Sequence, residues 1–140
     1  MMKLLTITVP SYNSEAYLDR CMATLLPGGD EVEILIVDDG STDRTAEIAD
    51  KYERKYPNIV RAIHKENGGH GDAVTTGIRN ATGLFFKVVD SDDSLAPEAY
   101  KQVLDFLRRI VKKNHELDML ISNFVYDRHD ENGDVLRQKS

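Results

Sequence analysis

The sequence predicts an α/β domain: a mostly parallel sheet with helices packed against it. Three observations carry that prediction. Short, β-branched apolar runs alternate with amphipathic stretches along the chain. The runs are nearly continuous in apolar residues, as strands buried on both faces require. Polar and acidic clusters follow directly on several of those runs. Ligands of open parallel sheets bind outside the carboxyl ends of the strands, so these clusters are expected along one edge.

The first strand is expected over residues 4–9, where β-branched residues are dense. Asn13 or Ser14 is placed to cap a helix whose apolar side is Leu18, Cys21, Met22 and Leu25. Pro27-Gly28-Gly29 stops it. Residues 34–37 form the second strand, and Gly40-Ser41-Thr42-Asp43 turns the chain and offers caps for a helix carrying Ile48, Ala49, Tyr52 and Tyr56. A short third strand is expected over 59–63. A glycine loop follows, Gly68-Gly69-His70-Gly71, then a helix through Val74, Ile78 and Ala81. Residues 83–89 form the fourth strand. Pro97 opens a strong helix with Tyr100, Val103, Leu104, Leu107, Ile110 and Val111 on one side. A fifth strand is expected over 119–126.

A chain of 140 residues holds one domain with one core. Its hydrophobic share of 41% excludes a disordered chain. A net charge of −6 with no Lys/Arg cluster argues against a nucleic-acid partner. A single nucleotide stays open, because a cation can offset its charge. The lone Cys21 reads as a core thiol, with no disulfide framework. No run approaches the ~18 apolar residues of a membrane span, and the opening Met1-Met2-Lys3-Leu4-Leu5 is too short for a signal peptide. The expected location is cytoplasmic, with peripheral attachment at the inner face of a membrane left open. The domain is expected over residues 1–126, with 127–140 a polar tail that starts a hairpin at Asn132-Gly133. A calcium-loop reading of that tail fails, because Arg128 and Lys139 fall at its first and last ligand positions. The chain reads as part of a larger fold.

The main chemical signal is Asp90-Ser91-Asp92-Asp93 at the end of the fourth strand. Carboxylates held this close repel one another unless solvated or neutralised by a cation. Oxygen ligands suit a hard divalent ion, Mn²⁺ or Mg²⁺. The alternation would aim Asp90 and Asp92 to one side and Asp93 to the other. The plainer alternative is helix capping by Asp93 or Ser94 ahead of Pro97. It leaves Asp90 and Asp92 unexplained. Asp38-Asp39 ends the second strand and could accept hydrogen bonds from a base or a ribose, or simply cap a turn. Ser11-Tyr12-Asn13 ends the first, where Tyr12 could stack on a base or pack a loop. Gly69 and its neighbours allow close backbone approach at a helix N-terminus, where free N–H groups favour anions. The loop lacks the Gly-Lys-Ser/Thr of a phosphate-binding P-loop, and Val74 stands where a dinucleotide fingerprint needs glycine. His70 reads as a loop residue or a ligand contact.

In this order, these residues resemble the nucleotide-sugar-binding part of a GT-A (Rossmann-like) glycosyltransferase of family 2. The matching stretches are Thr6-Ile7-Thr8-Val9-Pro10-Ser11-Tyr12-Asn13, Glu33 through Asp43, Asn67 to Gly69, Ala81-Thr82-Gly83 and Val88 through Asp93. The resemblance covers about residues 3–125. It implies a metal-dependent inverting transfer of a sugar from a nucleoside-diphosphate donor, expected to be a UDP-sugar, to a hydroxyl of a glycan, lipid or protein acceptor. Such chemistry belongs to cell-wall or polysaccharide synthesis. Pro10 and Tyr12 would contact the base, Asp39 assisted by Asp38 its edge, and Gly69, His70, Asp90 and Ser91 the rest of the donor. Asp92 is the first choice as metal ligand, with Asp90 and Asp93 beside it. The general base is expected from a later segment, and His115, Glu116, Asp118, His129 and Asp130 match no motif for it. Thr75-Thr76 departs from the Arg-Asn pair common in the family, and His70 is expected to compensate.

Rival readings fit less well. A non-catalytic or truncated nucleotide-binding module would share every residue, and only turnover separates it from an enzyme. A response-regulator receiver wants acidic residues after the first strand, where Pro10-Ser11-Tyr12-Asn13 stands. A nucleotidyltransferase wants a glycine- and lysine/arginine-bearing loop there. A glycosidase sets its two carboxylates across a sugar cleft rather than along one strand end. Self-association through an uncovered sheet edge is a further expectation.

Overall fold

The computed structural model describes residues 2–122, with side chains as far as residue 116. Four strands form one sheet in the order β3-β2-β1-β4, and every pair is parallel. They are β1 (Leu5–Ser11), β2 (Val32–Asp39), β3 (Val60–Lys65) and β4 (Phe85–Val88). All residues of β1 and β2 are buried, which is why both read as apolar runs.

The strand alternation sorts side chains onto two layers. Leu5, Ile7 and Val9 of β1, with Val32, Ile34 and Ile36 of β2, form the larger core. It is covered by α1 (Leu18–Leu25), α2 (Thr45–Lys55) and α4 (Pro97–Ser122), through Leu18, Cys21, Met22, Ala49, Tyr100 and Leu104. Leu35 and Val37 point the other way and meet Ala73 of α3 (His70–Asn80). Gly77 of α3 lies so close to the Thr8 side chain that a Cβ would clash. The helix therefore packs tightly onto β1. A 3-10 helix, Leu26–Glu31, joins α1 to β2.

Glu33 is buried and acts as an internal fastener. Its carboxylate accepts from Thr6 Oγ1 at 2.8 Å and from Thr82 N and Oγ1 at 2.9 and 3.0 Å. This pins the segment entering β4, and Gly83 fits there because its Cα nearly touches β1: a Cβ would lie 2.6 Å from Thr6 N.

Three expectations are corrected. Neither Asn13 nor Ser14 caps α1 with its side chain. The chain first turns, with Tyr17 and Leu18 N–H both bonded to the Ser14 carbonyl at 2.9 Å, and α1 starts at Leu18. Residues 119–122 are not strand but helix, continuing α4. No Gly or Pro interrupts 98–122, and Leu and Met are strong helix formers, so the helical pattern continues past its expected end. The remainder of the expected strand, 123–126, and the 127–140 tail lie outside the described residues. Capping before α4 also differs: the Ala96 carbonyl takes the Tyr100 N–H at 2.9 Å, so the helix begins beyond Asp93 and Ser94. Asp43, by contrast, does hold the start of α2, accepting from Thr45 N at 2.9 Å and Thr45 Oγ1 at 2.6 Å.

Candidate functional site: the carboxyl edge of the sheet

The chain winds from β1 through β2 to β3 on one side of β1 and then returns to place β4 on the other. The resulting switch in direction lies at the carboxyl ends of β1 and β4, where such sheets open a crevice. A cleft of about 250 Å³ lies on this edge. Pro10 and Ser11 of β1 and Tyr12 just after it line one part, Asp39 and Asn67 another, and Gly69 with His70 and Ala73 of α3 the rest. Tyr12 is 52% exposed, so its ring is accessible at the cleft.

Asp38 and Asp39 end β2 in different environments. Asp39 is 3% exposed. Its Oδ1 accepts from Lys65 Nζ at 2.7 Å and Gly68 N at 2.9 Å, and its Oδ2 from Gly69 N at 3.0 Å. Burial alone would raise this carboxyl. The Lys65 ammonium and the two glycine amides outweigh it and hold the group below the ordinary carboxylate range. The glycine loop therefore does meet an anion at the start of α3, and that anion is the protein's own Asp39. The left-handed φ of +97° at Gly69 lets the chain turn its amide inward. Asp38 Oδ1 accepts from Ser41 N at 3.0 Å, and its Oδ2 lies 2.9 Å from His64 Nδ1.

The acidic run after β4 leaves strand geometry at once. Asp93 N bonds to the Asp90 carbonyl at 2.9 Å, closing a turn. That corrects the expectation that Asp93 points opposite the other two: the turn brings carboxylate oxygens of Asp90, Asp92 and Asp93 within 4.8 Å of one another. Their charge is felt inside the core. Burial first, then the carboxylates of Asp93, Asp92 and Asp90, push the Cys21 thiol up to about 12. Ser91 is buried, with its Oγ 2.6 Å from Ser14 Oγ, so its side chain is spent on joining this turn to the β1 loop. His70 Nε2 reaches across to Asp90 Oδ1 at 2.8 Å and links the cleft to the acidic turn.

The sequence pattern did not point to His64 or Lys65; it offered Ser14 only as a helix cap and Asn67 only as the start of a matching stretch. Lys65 and His64 stand directly opposite Asp39 and Asp38 in the β2–β3 register. Aligning the carboxyl ends of the two strands would have shown a cation and an imidazole beside two carboxylates. Ser14 pairs with Ser91 across 77 residues, and no local pattern announces that contact.

A parallel sheet with its chemistry at one switch point defines a nucleotide-type α/β fold. The Glycosyl transferase family 2 profile matches residues 6–138, and the chain belongs to that family. Glycosyltransferase GlyG of Streptococcus pneumoniae is 36% identical over 135 residues, covering 94% of this chain and 43% of GlyG. The uncharacterised glycosyltransferase EpsJ of Bacillus subtilis is 37% identical over 106 residues, 75% of this chain and 30% of EpsJ. Among solved structures, residues 1–349 of TarS from Staphylococcus aureus in complex with UDP-GlcNAc align with a TM-score of 0.67 at 31% identity, over 76% of this chain and 31% of that one. The fold is thus a GT-A sheet with flanking helices, and the chain spans less than half the length of these relatives.

Proposed function

We propose that the chain is the donor-binding part of an inverting glycosyltransferase that takes a nucleoside-diphosphate sugar, uridine-based, and passes the sugar to an acceptor hydroxyl. The observation that carries this is the cleft beside Tyr12 and Asp39, joined by His70 to three clustered carboxylates on the same edge. The likeness to TarS, which is described with UDP-GlcNAc, supports the uridine donor.

In this reading Tyr12 stacks on the base and Pro10 packs beside it. Asp39, steadied by Lys65 and Asp38, reads the base edge. Gly69 and His70 lie toward the diphosphate, and Asp90 and the Ser91 backbone toward the ribose. Three oxygen donors within 4.8 Å of one another fit Mn²⁺ or Mg²⁺. Asp92 would hold it, with Asp90 and Asp93. A divalent ion held there would supply positive charge to offset the charge that develops on the departing diphosphate. As the bond from the anomeric carbon to the diphosphate oxygen breaks, its electrons leave with the nucleoside diphosphate. The acceptor oxygen bonds to the opposite face of that carbon and gives its proton to a base.

His115 and Glu116 are poor candidates for that base: they lie about 27 Å along α4 from Pro97, which opens the helix just past the acidic turn. A non-catalytic nucleotide-binding module that shares every one of these residues is the second reading, and only turnover separates the two. The acceptor class, self-association and peripheral membrane attachment remain expectations. Among the described residues no helix is long and apolar enough to cross a membrane.

Titration calorimetry with UDP, GDP and CMP, each in Mn²⁺ and in EDTA, tests this reading. UDP is expected to bind in Mn²⁺ and to lose most of its affinity in EDTA or in Asp92→Ala. A folded protein that binds none of the three refutes the donor-site assignment. Unchanged metal-dependent binding by Asp92→Ala refutes the ligand assignment.

A further inference from the structure

A chain of hydrogen bonds runs from α2 to the wall of the cleft, and the donor-site chemistry above makes no use of its centre, His64. On β3, His64 stands opposite Asp38. Its Nδ1 lies 2.9 Å from Asp38 Oδ2 and its Nε2 2.7 Å from Asp50 Oδ1 on α2. Carboxylate oxygens only accept, so a ring with a proton on each nitrogen satisfies both partners. Asp38 passes the constraint on. Its other oxygen takes Ser41 N at 3.0 Å, and Ser41 Oγ in turn takes Asn13 N at 3.0 Å. Asn13 Oδ1 returns to Thr42 N at 2.8 Å. Asn13 holds a left-handed φ of +49°, a strained conformation that Asn tolerates better than most residues. It directly follows Tyr12, the aromatic wall of the cleft.

We propose that His64 is a positioning residue for nucleotide binding: by holding Asp38 it fixes the turn at residues 40–42 and, through Asn13, the ring of Tyr12 against a nucleotide base. The proposal rests on the donor-site reading of the cleft. The plainer role, fastening α2 to the sheet, belongs to the Asp50 arm. The Asp38 arm is the one that leads to the site, and the two arms can be cut separately. In His64→Asn the side-chain amide nitrogen falls near the place of Nδ1 and retains Asp38 while letting Asp50 go. In His64→Gln the amide reaches toward the place of Nε2, retaining Asp50 and releasing Asp38. Asp50→Asn weakens the far arm without touching His64 itself.

The experiment titrates UDP with Mn²⁺ into the parent and the three variants. It also follows hydrogen exchange at the Ser41 amide, and thermal unfolding of each protein. His64→Gln is expected to weaken UDP by about tenfold, equivalent to about 1.4 kcal/mol, and to speed exchange at Ser41. His64→Asn and Asp50→Asn are expected to stay within about threefold of the parent and keep Ser41 protected, even where their unfolding temperature falls. Equal weakening by the Asn and Gln variants, tracking lost stability, overturns the proposal, as does full affinity in His64→Gln. A parent that binds no nucleotide overturns the donor-site reading and the nucleotide half of this one. Exchange at Ser41 then still decides whether His64 fixes the turn: faster in Gln alone supports it, and no difference between the two overturns it.

Discussion

Replacing Asp39 by Asn tests the idea that this carboxylate organises the glycine loop before any ligand arrives. In the parent, four donors converge on it: Lys65 Nζ, Gly68 N, Gly69 N and, at 3.4 Å, Asn67 Nδ2. Asn offers one carbonyl oxygen and one NH₂ group. Whichever way the amide turns, the NH₂ faces an N–H donor, so at least one inward backbone amide loses its acceptor, at a cost of about 1–3 kcal/mol. Lys65 loses its buried partner as well. It keeps the half-exposed Asp72, which limits the added penalty. The amide term alone is about 1–3 kcal/mol, or roughly 3–10 °C in unfolding temperature for a domain of this size. The pH dependence gives a second check. The folded-state value of Asp39 lies below its unfolded value of about 3.9. Its stabilisation is therefore fully present above that pH and is lost as pH falls through the folded value. The gap between parent and Asp39→Asn in urea unfolding should hold from pH 7 down to about 4 and close in stronger acid. A gap below about 0.5 kcal/mol at pH 7, or one that ignores pH, would refute the reasoning.

Gly83→Ala should destabilise the domain by about 1–3 kcal/mol, because the new methyl would press on the Thr6 amide and the Leu5 carbonyl carbon of a central strand, neither of which can move aside. An unchanged urea midpoint would show that β1 yields there. His64 should make stability fall on the alkaline side. Bonds to Asp50 on α2 and Asp38 on β2 raise its folded-state value above the ordinary ~6.5. Its contribution is thus complete below that pH and is lost as pH rises through the folded value. The stability gap between the parent and His64→Gln should narrow over that range, and a constant gap counts against a charged ring.

How much of this was legible beforehand follows from the range of each interaction. β1 and β2 were plain because a strand buried on both faces must be apolar throughout, and the two layers of the core draw on alternate residues of the same runs. The carboxyl edge was plain for a related reason: polar residues that break off such a run have few places to go except the strand end. The helical state of residues 119–122 was missed because they satisfy both a strand and a helix pattern, and an apolar stretch of that length carries no period that separates them.

The cleft itself shows where local pattern stops. Sequence reading took the glycine loop as an open anion site, since free amides at a helix start favour negative charge. The structure fills that place with Asp39, a residue 29 and 30 positions earlier than the two glycines that bind it. The two signals had been read as separate contacts to a ligand, and they are contacts to each other. A carboxylate already satisfied by Lys65 and two backbone amides has little left to offer a base unless some of those bonds are exchanged. Binding a nucleotide edge at Asp39 would then loosen the head of α3, and with it His70, whose imidazole sits on Asp90. On the proposed reading, the base and metal halves of the site would in this way be joined by one short helix start. UDP titrated into Asp39→Asn should show this as a reduced response to Mn²⁺ as well as a weaker affinity, whereas loss of base contact alone would lower affinity equally with and without the metal.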